Sequence, residues 1–247
     1  MKKIYLILGA SSDLGKGLIK SIIAENQGQD ITIIAHYNSN LQALENICKE
    51  YDDIDIRIVQ ADLTCVAEVN RLIGIVESWG IVPTHIVSLC ANNFRYNRLS
   101  AWDYDTVLRD MNIQVFSFAE IVKKYIPYMA KSGYGKIIVM LTEATIGAPP
   151  KNMSEYTTVK YALLGLIKSI AMDYGDKGIN INGISPSMIN TNFIGGIGRK
   201  VREFVAESNP KHRNLEVSDV VPTIMFLLSE QAEFVSGTNI NLSGKVD

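Results

Sequence analysis

Short apolar runs alternate with longer stretches of helical period along almost the whole chain, and few folds accept that rhythm. The runs occupy residues 4–8, 31–35, 54–59, 85–89, 136–141, 180–184 and 238–242. Within them apolar residues follow one another without polar alternation, as in strands buried on both faces. Between the first two runs, Leu14, Leu18, Ile19, Ile22 and Ile23 recur at helical spacing. Leu41, Leu44, Ile47 and Cys48 do the same after the second run, and Val66, Val69, Leu72, Ile73 and Val76 after the third. This alternation predicts an α/β fold: a doubly wound sheet of about seven mainly parallel strands with helices on both faces. The chain has 247 residues and no linker-like stretch, so residues 1–247 read as one domain.

Charge and composition narrow the classes of partner. Lys+Arg 24 against Asp+Glu 26 leaves a formal net charge of −2, which offers nucleic acid no basic surface. The longest apolar runs, such as Ile137-Ile138-Val139-Met140-Leu141, fall far short of the ~20 residues that span a bilayer. Met1-Lys2-Lys3 and the run behind it are too short for a signal peptide and lead straight into a glycine turn, so they read as the first strand. The 3 cysteines, Cys48, Cys65 and Cys90, lack the spacing of a zinc site or a disulfide framework. No metal and a cytoplasmic location are therefore expected.

Gly9-Ala10-Ser11-Ser12-Asp13-Leu14-Gly15 fills the junction between the first strand and the first helix. Glycines there let the backbone turn sharply and approach a pyrophosphate, while the helix N-terminus supplies unpaired N–H groups. Gly9, Ser11, Ser12, Asp13, Leu14 and Gly15 are thus candidates to hold a dinucleotide, although a purely structural turn has the same composition. Asp13 stands where a third glycine would serve. It is expected to cap the helix near Leu14 and to point away from phosphate. Asp62, followed by Leu63 after the third strand, lies at the edge where parallel sheets bind ligands. It could accept hydrogen bonds from an adenine amino group or cap the helix near Cys65. After the second strand, His36-Tyr37-Asn38-Ser39 holds no carboxylate to take both ribose hydroxyls. That favours NADP, with NAD as the alternative, and Asn38 or Ser39 could also cap the next helix.

Tyr156 and Lys160 stand four apart in a helical pattern, on one face, with Cβ atoms roughly 5–6 Å apart. A cation beside a phenol favours the phenolate, so the pair could serve as a general acid/base. Residues 192–214 break the rhythm of the chain with Gly195, Gly196 and Gly198 and a short amphipathic piece at 201–206. They could form a lid over a cleft or a mobile surface connection.

With these residues laid out, the chain resembles the short-chain dehydrogenase/reductase family along nearly its whole length, above all its 3-oxoacyl-carrier-protein reductase-like members. The resemblance implies a Rossmann-type sheet and a subunit of a dimer or tetramer. Gly9–Gly15 resembles the family's glycine turn, and Asp62 its adenine-side aspartate. Asn112 falls on its active-site asparagine, and Tyr156 and Lys160 on its Tyr-x-x-x-Lys motif. Pro186-Ser187 falls on its Pro-Gly, with Met188, Ile189 and Thr191 on the nicotinamide side. Four departures stand out. Asp13 replaces the middle glycine. Ser88-Leu89-Cys90-Ala91 replaces Asn-Asn-Ala-Gly, leaving Cys90 and Ala91 to line the cofactor. Ser187 replaces a glycine, and the catalytic serine is absent. Counting from Gly135 puts the serine's site on Thr142; counting back from Tyr156 puts it on Glu143. Thr142 is preferred, because a hydroxyl can orient a substrate carbonyl.

The resemblance implies an NAD(P)-dependent oxidoreductase interconverting a carbonyl and a secondary alcohol. Tyr156 is the expected proton donor, Lys160 lowers its pKa and holds ribose, Thr142 orients the carbonyl, and Asn112 holds a water reaching Lys160. The substrate is expected to be a small carbonyl or alcohol, anionic or carrier-bound if Arg95, Arg98, Arg199, Lys200 and Arg202 face it rather than solvent. Phe94, Tyr96, Ile146, Pro149, Met153 and Phe193 are further pocket candidates. Two alternatives stand beside this reading: a non-catalytic dinucleotide-binding scaffold, and an epimerase or dehydratase that uses the cofactor transiently.

Overall fold

A computed structural model of the chain describes residues 2–92 and 95–245. The apolar runs become seven strands: β1 (Lys3–Leu8), β2 (Ile31–Tyr37), β3 (Asp55–Gln60), β4 (His85–Ser88), β5 (Gly135–Met140), β6 (Ile179–Pro186) and β7 (Asn239–Leu242). They form one sheet in the order β3-β2-β1-β4-β5-β6-β7, and every neighbouring pair is parallel. The helices between them are α1 (Asp13–Glu25), α2 (Leu41–Glu50), α3 (Val66–Ser78), α4 (Tyr104–Met111), α5 (Ser117–Ser132), α6 (Ser154–Tyr174), α7 (Arg199–Ser208) and α8 (Val217–Leu228).

The lack of polar alternation has a direct structural cause. Successive side chains of a strand point to opposite faces, and here both faces are covered. Leu6 and Leu8 of β1 join one core with Phe118, Ile121 and Tyr125 of α5 and Leu163 and Ile167 of α6. Tyr5 and Ile7 join the other, with Leu18 and Ile22 of α1 and Val220 and Ile224 of α8. β5 divides the same way, Ile137 and Val139 against Ile138.

Three helix starts differ from the sequence expectation. Ser12, not Asp13, caps α1 by accepting from the Gly15 N–H. Asn40, not Asn38 or Ser39, caps α2. Asp62 does not cap α3. Its Oδ1 closes a local turn by accepting from the Thr64 N–H at 2.9 Å and hydroxyl at 2.8 Å, and Cys65 stands at the cap position without a side-chain bond. For α1 and α2 the acceptor sits one or two residues from the expected one, selected by loop geometry that composition does not encode. Among the described residues no helix is long and apolar enough to cross a membrane.

Candidate active site

Chain reversal places the sheet's binding edge. β1 is flanked by β2 and β4, so consecutive crossovers leave in opposite directions there, and a crevice opens at the strands' C-terminal ends. A cavity of about 1000 Å³ occupies it. Every loop leaving that edge contributes to the wall, from Gly9 after β1 and Asn38 after β2 to Asp62, Cys90, Thr142 and Pro186 after β3 to β6.

The glycine turn is held from below. Gly9 takes φ +80°, which favours glycine, and its N–H donates to His36 Nδ1 at 3.1 Å. Because Nδ1 accepts, Nε2 carries the ring proton and donates to the Ala61 carbonyl at 3.0 Å. Burial lowers the His36 pKa to about 4, so this neutral tautomer persists at pH 7. His36 therefore braces β1, β2 and β3 together, and both of its ring nitrogens are committed to backbone. Tyr37 packs into the core and is not among the residues lining the cavity. Gly15 lies beneath the turn, where an added Cβ would come within 2.5 Å of the Ala10 carbonyl oxygen and 2.6 Å of that of Gly9. Gly15→Ala is expected to push the turn out of shape and weaken dinucleotide binding about tenfold, read by fluorescence titration. Unchanged affinity would show that the turn does not hold the ligand.

The Asp13 side chain lines the cavity at the turn and is held by the 192–214 segment and by its own helix. Its carboxylate accepts from the Asn192 N–H at 2.8 Å and the Asn192 side-chain amide at 3.3 Å, and it pairs with Lys16 at 3.0 Å. Those partners hold its pKa below the usual carboxylate value against a desolvation penalty that acts in the other direction. Asp62 lines the cavity beside Leu63, its pKa lowered chiefly by the Thr64 N–H.

Tyr156 and Lys160 project from the first turns of α6 into the cavity, with Lys160 Nζ 5.8 Å from the Tyr156 ring centroid. The expected lowering of the tyrosine's pKa is not met. Burial raises the Tyr156 pKa to about 12; the Thr142 hydrogen bond opposes that, while the charges of Asp110 and Glu143 add to it. Lys160 has its own penalty: burial lowers its pKa to about 8, and its ammonium donates to the Met140 carbonyl at 2.8 Å. In a buried pair, desolvation of both members outweighs the cation's help to the phenolate. The two candidates for the missing serine's place have different partners. Thr142 hydrogen-bonds the Tyr156 side chain. Glu143 instead accepts from Lys245 Nζ at 3.0 Å.

Asn112 opens a π-helical turn, Asn112–Phe116, inserted between α4 and α5 and packed on α6. Such turns break the regular ladder and often mark functional positions. Ile113 of the turn lines the cavity, whereas Asn112 is not among the lining residues. Asp110, two residues earlier, escaped the sequence reading. It accepts from the Asn92 side-chain amide at 2.6 Å, and burial raises its pKa while Asn92, Lys160 and Arg95 counter that. Its only sequence signal is proximity to Asn112.

On the substrate side, Tyr96, Met153, Met188 and Phe193 line the cavity, while Ile146, Pro149 and Arg95 do not, and Phe94 lies outside the described residues. Arg98, Arg199, Lys200 and Arg202 also stay off the wall, and Arg199 pairs with Glu203. The lining cations are Lys16, Lys160 and Lys245. Lys245 had no signal in the sequence, because only the return of β7 beside β6 brings the chain's end to Glu143. Ile194, Ile197, Val201 and Val205, all within 192–214, form an apolar wall over the cavity.

A nicotinamide dinucleotide fits these residues. Gly9 and Gly15 keep the turn clear of side chains, and the Asp13 carboxylate is engaged by Asn192 and Lys16. Ser187 lines the cavity, and its buried hydroxyl has no hydrogen-bond partner among the described residues, an acceptor and donor left over for a bound group. Residues 9–244 match a family model described as Enoyl-(Acyl carrier protein) reductase. The 3-oxoacyl-[acyl-carrier-protein] reductase of Rickettsia felis is 25% identical over 244 residues, covering 98% of this chain and 95% of that protein. A gluconate 5-dehydrogenase of Burkholderia cenocepacia, solved with NADP and tartrate, superposes with a TM-score of 0.86 at 20% identity, covering 98% of this chain and 94% of that one. A 4-hydroxyisoleucine dehydrogenase complexed with NADH gives 0.87 at 22% identity, covering 98% and 97%.

Proposed function

We propose the roles of individual residues from one premise: the chain belongs to the short-chain dehydrogenase/reductase family. It is an NAD(P)-dependent oxidoreductase that interconverts a carbonyl and an alcohol. The observation that carries the residue roles is the Tyr156 hydroxyl bonded to Thr142, above Lys160, on the wall of the dinucleotide-sized cavity.

Gly9, Asp62 and Thr191 would hold the dinucleotide, which would supply or take up the hydride. Tyr156 gives its phenolic proton to the carbonyl oxygen in reduction and recovers it in oxidation. With a pKa raised to about 12, it keeps that proton at neutral pH and is loaded for reduction. Thr142 orients the carbonyl by sharing its hydroxyl between Tyr156 and substrate. Lys160 holds the nicotinamide ribose and, as a buried cation, steadies the negative charge left on the phenol. Asn112 holds the water that returns protons toward Lys160. Residues 192–214 cover the bound substrate with their apolar wall. Lys245, beside Glu143, gives an anionic or carrier-bound substrate its cation. A homotetramer or homodimer is the proposed assembly.

NADPH is the proposed cofactor, because Asn38, Ser39 and Asn40 line the wall beyond β2 with no carboxylate to repel a 2′-phosphate. NADPH is expected to bind tighter than NADH, and Asn38→Asp to reverse the preference by about tenfold or more, since like charges in contact cost several kcal/mol. Fluorescence titration with both dinucleotides reads this, and equal affinities in the parent protein would remove the NADPH assignment. The reaction itself is tested with a panel of ketones, 3-oxoacyl thioesters and sugar acids. Tight dinucleotide binding with no turnover across the panel would favour a non-catalytic binder.

A further inference from the structure

One acidic side chain joins two parts of the cavity that lie far apart in sequence. Asp13 sits in the first turn of α1, at the glycine turn, and Asn192 opens the covering segment, 179 residues later. The Asp13 carboxylate accepts from both the main-chain N–H and the side-chain amide of Asn192. The second bond adds direction that a single contact lacks. Lys16 balances its charge from the same helix. Thr191 precedes Asn192 in extended backbone, and the short 3-10 turn Asn192–Ile194 follows, closed by the Ile194 N–H on the Thr191 carbonyl and the Gly195 N–H on that of Asn192. The tether therefore acts at the point where the chain leaves the sheet's edge to cover the cavity.

We propose that Asp13 is a positioning residue: it anchors the start of the 192–214 segment to the dinucleotide-binding turn, so that one carboxylate sets the height of the cover above the cavity. A glycine at this position has no side chain to reach Asn192. The substitution that seems to oppose phosphate binding is, in this geometry, spent on the cover instead. The proposal rests on the reading of 192–214 as a cover, but not on the reaction.

Amide hydrogen exchange of the dinucleotide-free protein tests it directly, because the Asn192 N–H is itself one of the bonded donors. Asp13→Gly is expected to raise exchange at Asn192, Ile194 and Gly195 by about tenfold or more, with the sheet amides unchanged. Asp13→Asn keeps an acceptor oxygen and should stay within about threefold of the parent, separating the bond from the charge. Asn192→Pro removes both donors without touching α1 and should loosen Ile194 and Gly195 as Asp13→Gly does, which keeps the test open if Asp13→Gly folds poorly. With a verified substrate, Asp13→Gly should raise KM for the carbonyl compound more than it lowers kcat. Unchanged exchange at 192–195 in a folded Asp13→Gly protein overturns the tether. Increased exchange in a protein that reduces no carbonyl upholds the tether and counts against the proposed reaction.

Discussion

Tyr156→Phe is expected to leave a folded protein that still binds dinucleotide and reduces a verified carbonyl substrate about a thousandfold more slowly, within the range a positioned acid contributes. The change removes one hydroxyl from a half-buried ring whose partner, Thr142, keeps the Ala144 N–H as a second contact. Binding should survive, because the turn proposed to hold the phosphates lies between β1 and α1 and not on α6. The measurements are kcat with saturating dinucleotide and Kd by fluorescence. Turnover within about threefold of the parent would show that another group delivers the proton. Thr142→Ala should fall between the two, since it loses orientation but keeps the acid.

The second large effect concerns stability. Lys160→Met is expected to abolish turnover and yet stabilise the dinucleotide-free protein at pH 7. Lys160 is buried, and its pKa drops from 10.5 to about 8. At about 1.4 kcal/mol per pH unit, that gap corresponds to a cost of roughly 3 kcal/mol. Losing the bond to the Met140 carbonyl takes back about 1 kcal/mol. A net gain of about 1–2 kcal/mol remains.

The sign with pH follows from proton counting. Below pH 8 the lysine is charged in both the folded and unfolded states, and the penalty is complete. Between about 8 and 10.5 the unfolded chain binds more protons than the folded one, so the parent's stability rises with pH and the advantage of Lys160→Met shrinks. Tyr156 acts in the opposite direction, since its raised pKa makes the folded state lose stability above about pH 10. Urea denaturation of both proteins at pH 7 and 9.5 reads the difference. A Lys160→Met protein less stable than the parent at pH 7 would show that the ammonium is adequately paired in its site. The expected outcome is the usual trade, in which a site holds a group for chemistry at the expense of stability.

The doubly wound sheet was legible because burial on two faces leaves a plain trace: runs such as Ile137-Ile138-Val139 have no polar alternation, and α1 shows its apolar stripe at Leu14, Leu18 and Ile22. Tyr156 and Lys160, picked out through the resemblance, and Gly9, picked out by its place after the first strand, line the cavity; Asn112, carried over in the same way, does not. Spacing left Thr142 and Glu143 one residue apart and only the hydroxyl favoured Thr142, so that choice was not fully legible. Nor was the role of His36. A histidine after a second strand suggests a ligand contact, and only the positions of the Gly9 N–H and the Ala61 carbonyl show that its ring is spent on backbone.

Local rules acting along the chain therefore carry the class of fold and the chemical types at the site. Side-chain period, glycine at a strand–helix junction and the four-residue spacing of Tyr156 and Lys160 each depend on neighbours in sequence. The tertiary structure alone decided the electrostatics and the long-range contacts. Desolvation raises Tyr156 and lowers Lys160, reversing the expectation from their spacing. Asp13 meets Asn192, and Lys245 meets Glu143, across gaps of 179 and 102 residues. Burial and distant pairing are properties of the packed volume, and neither period nor composition along the chain contains them.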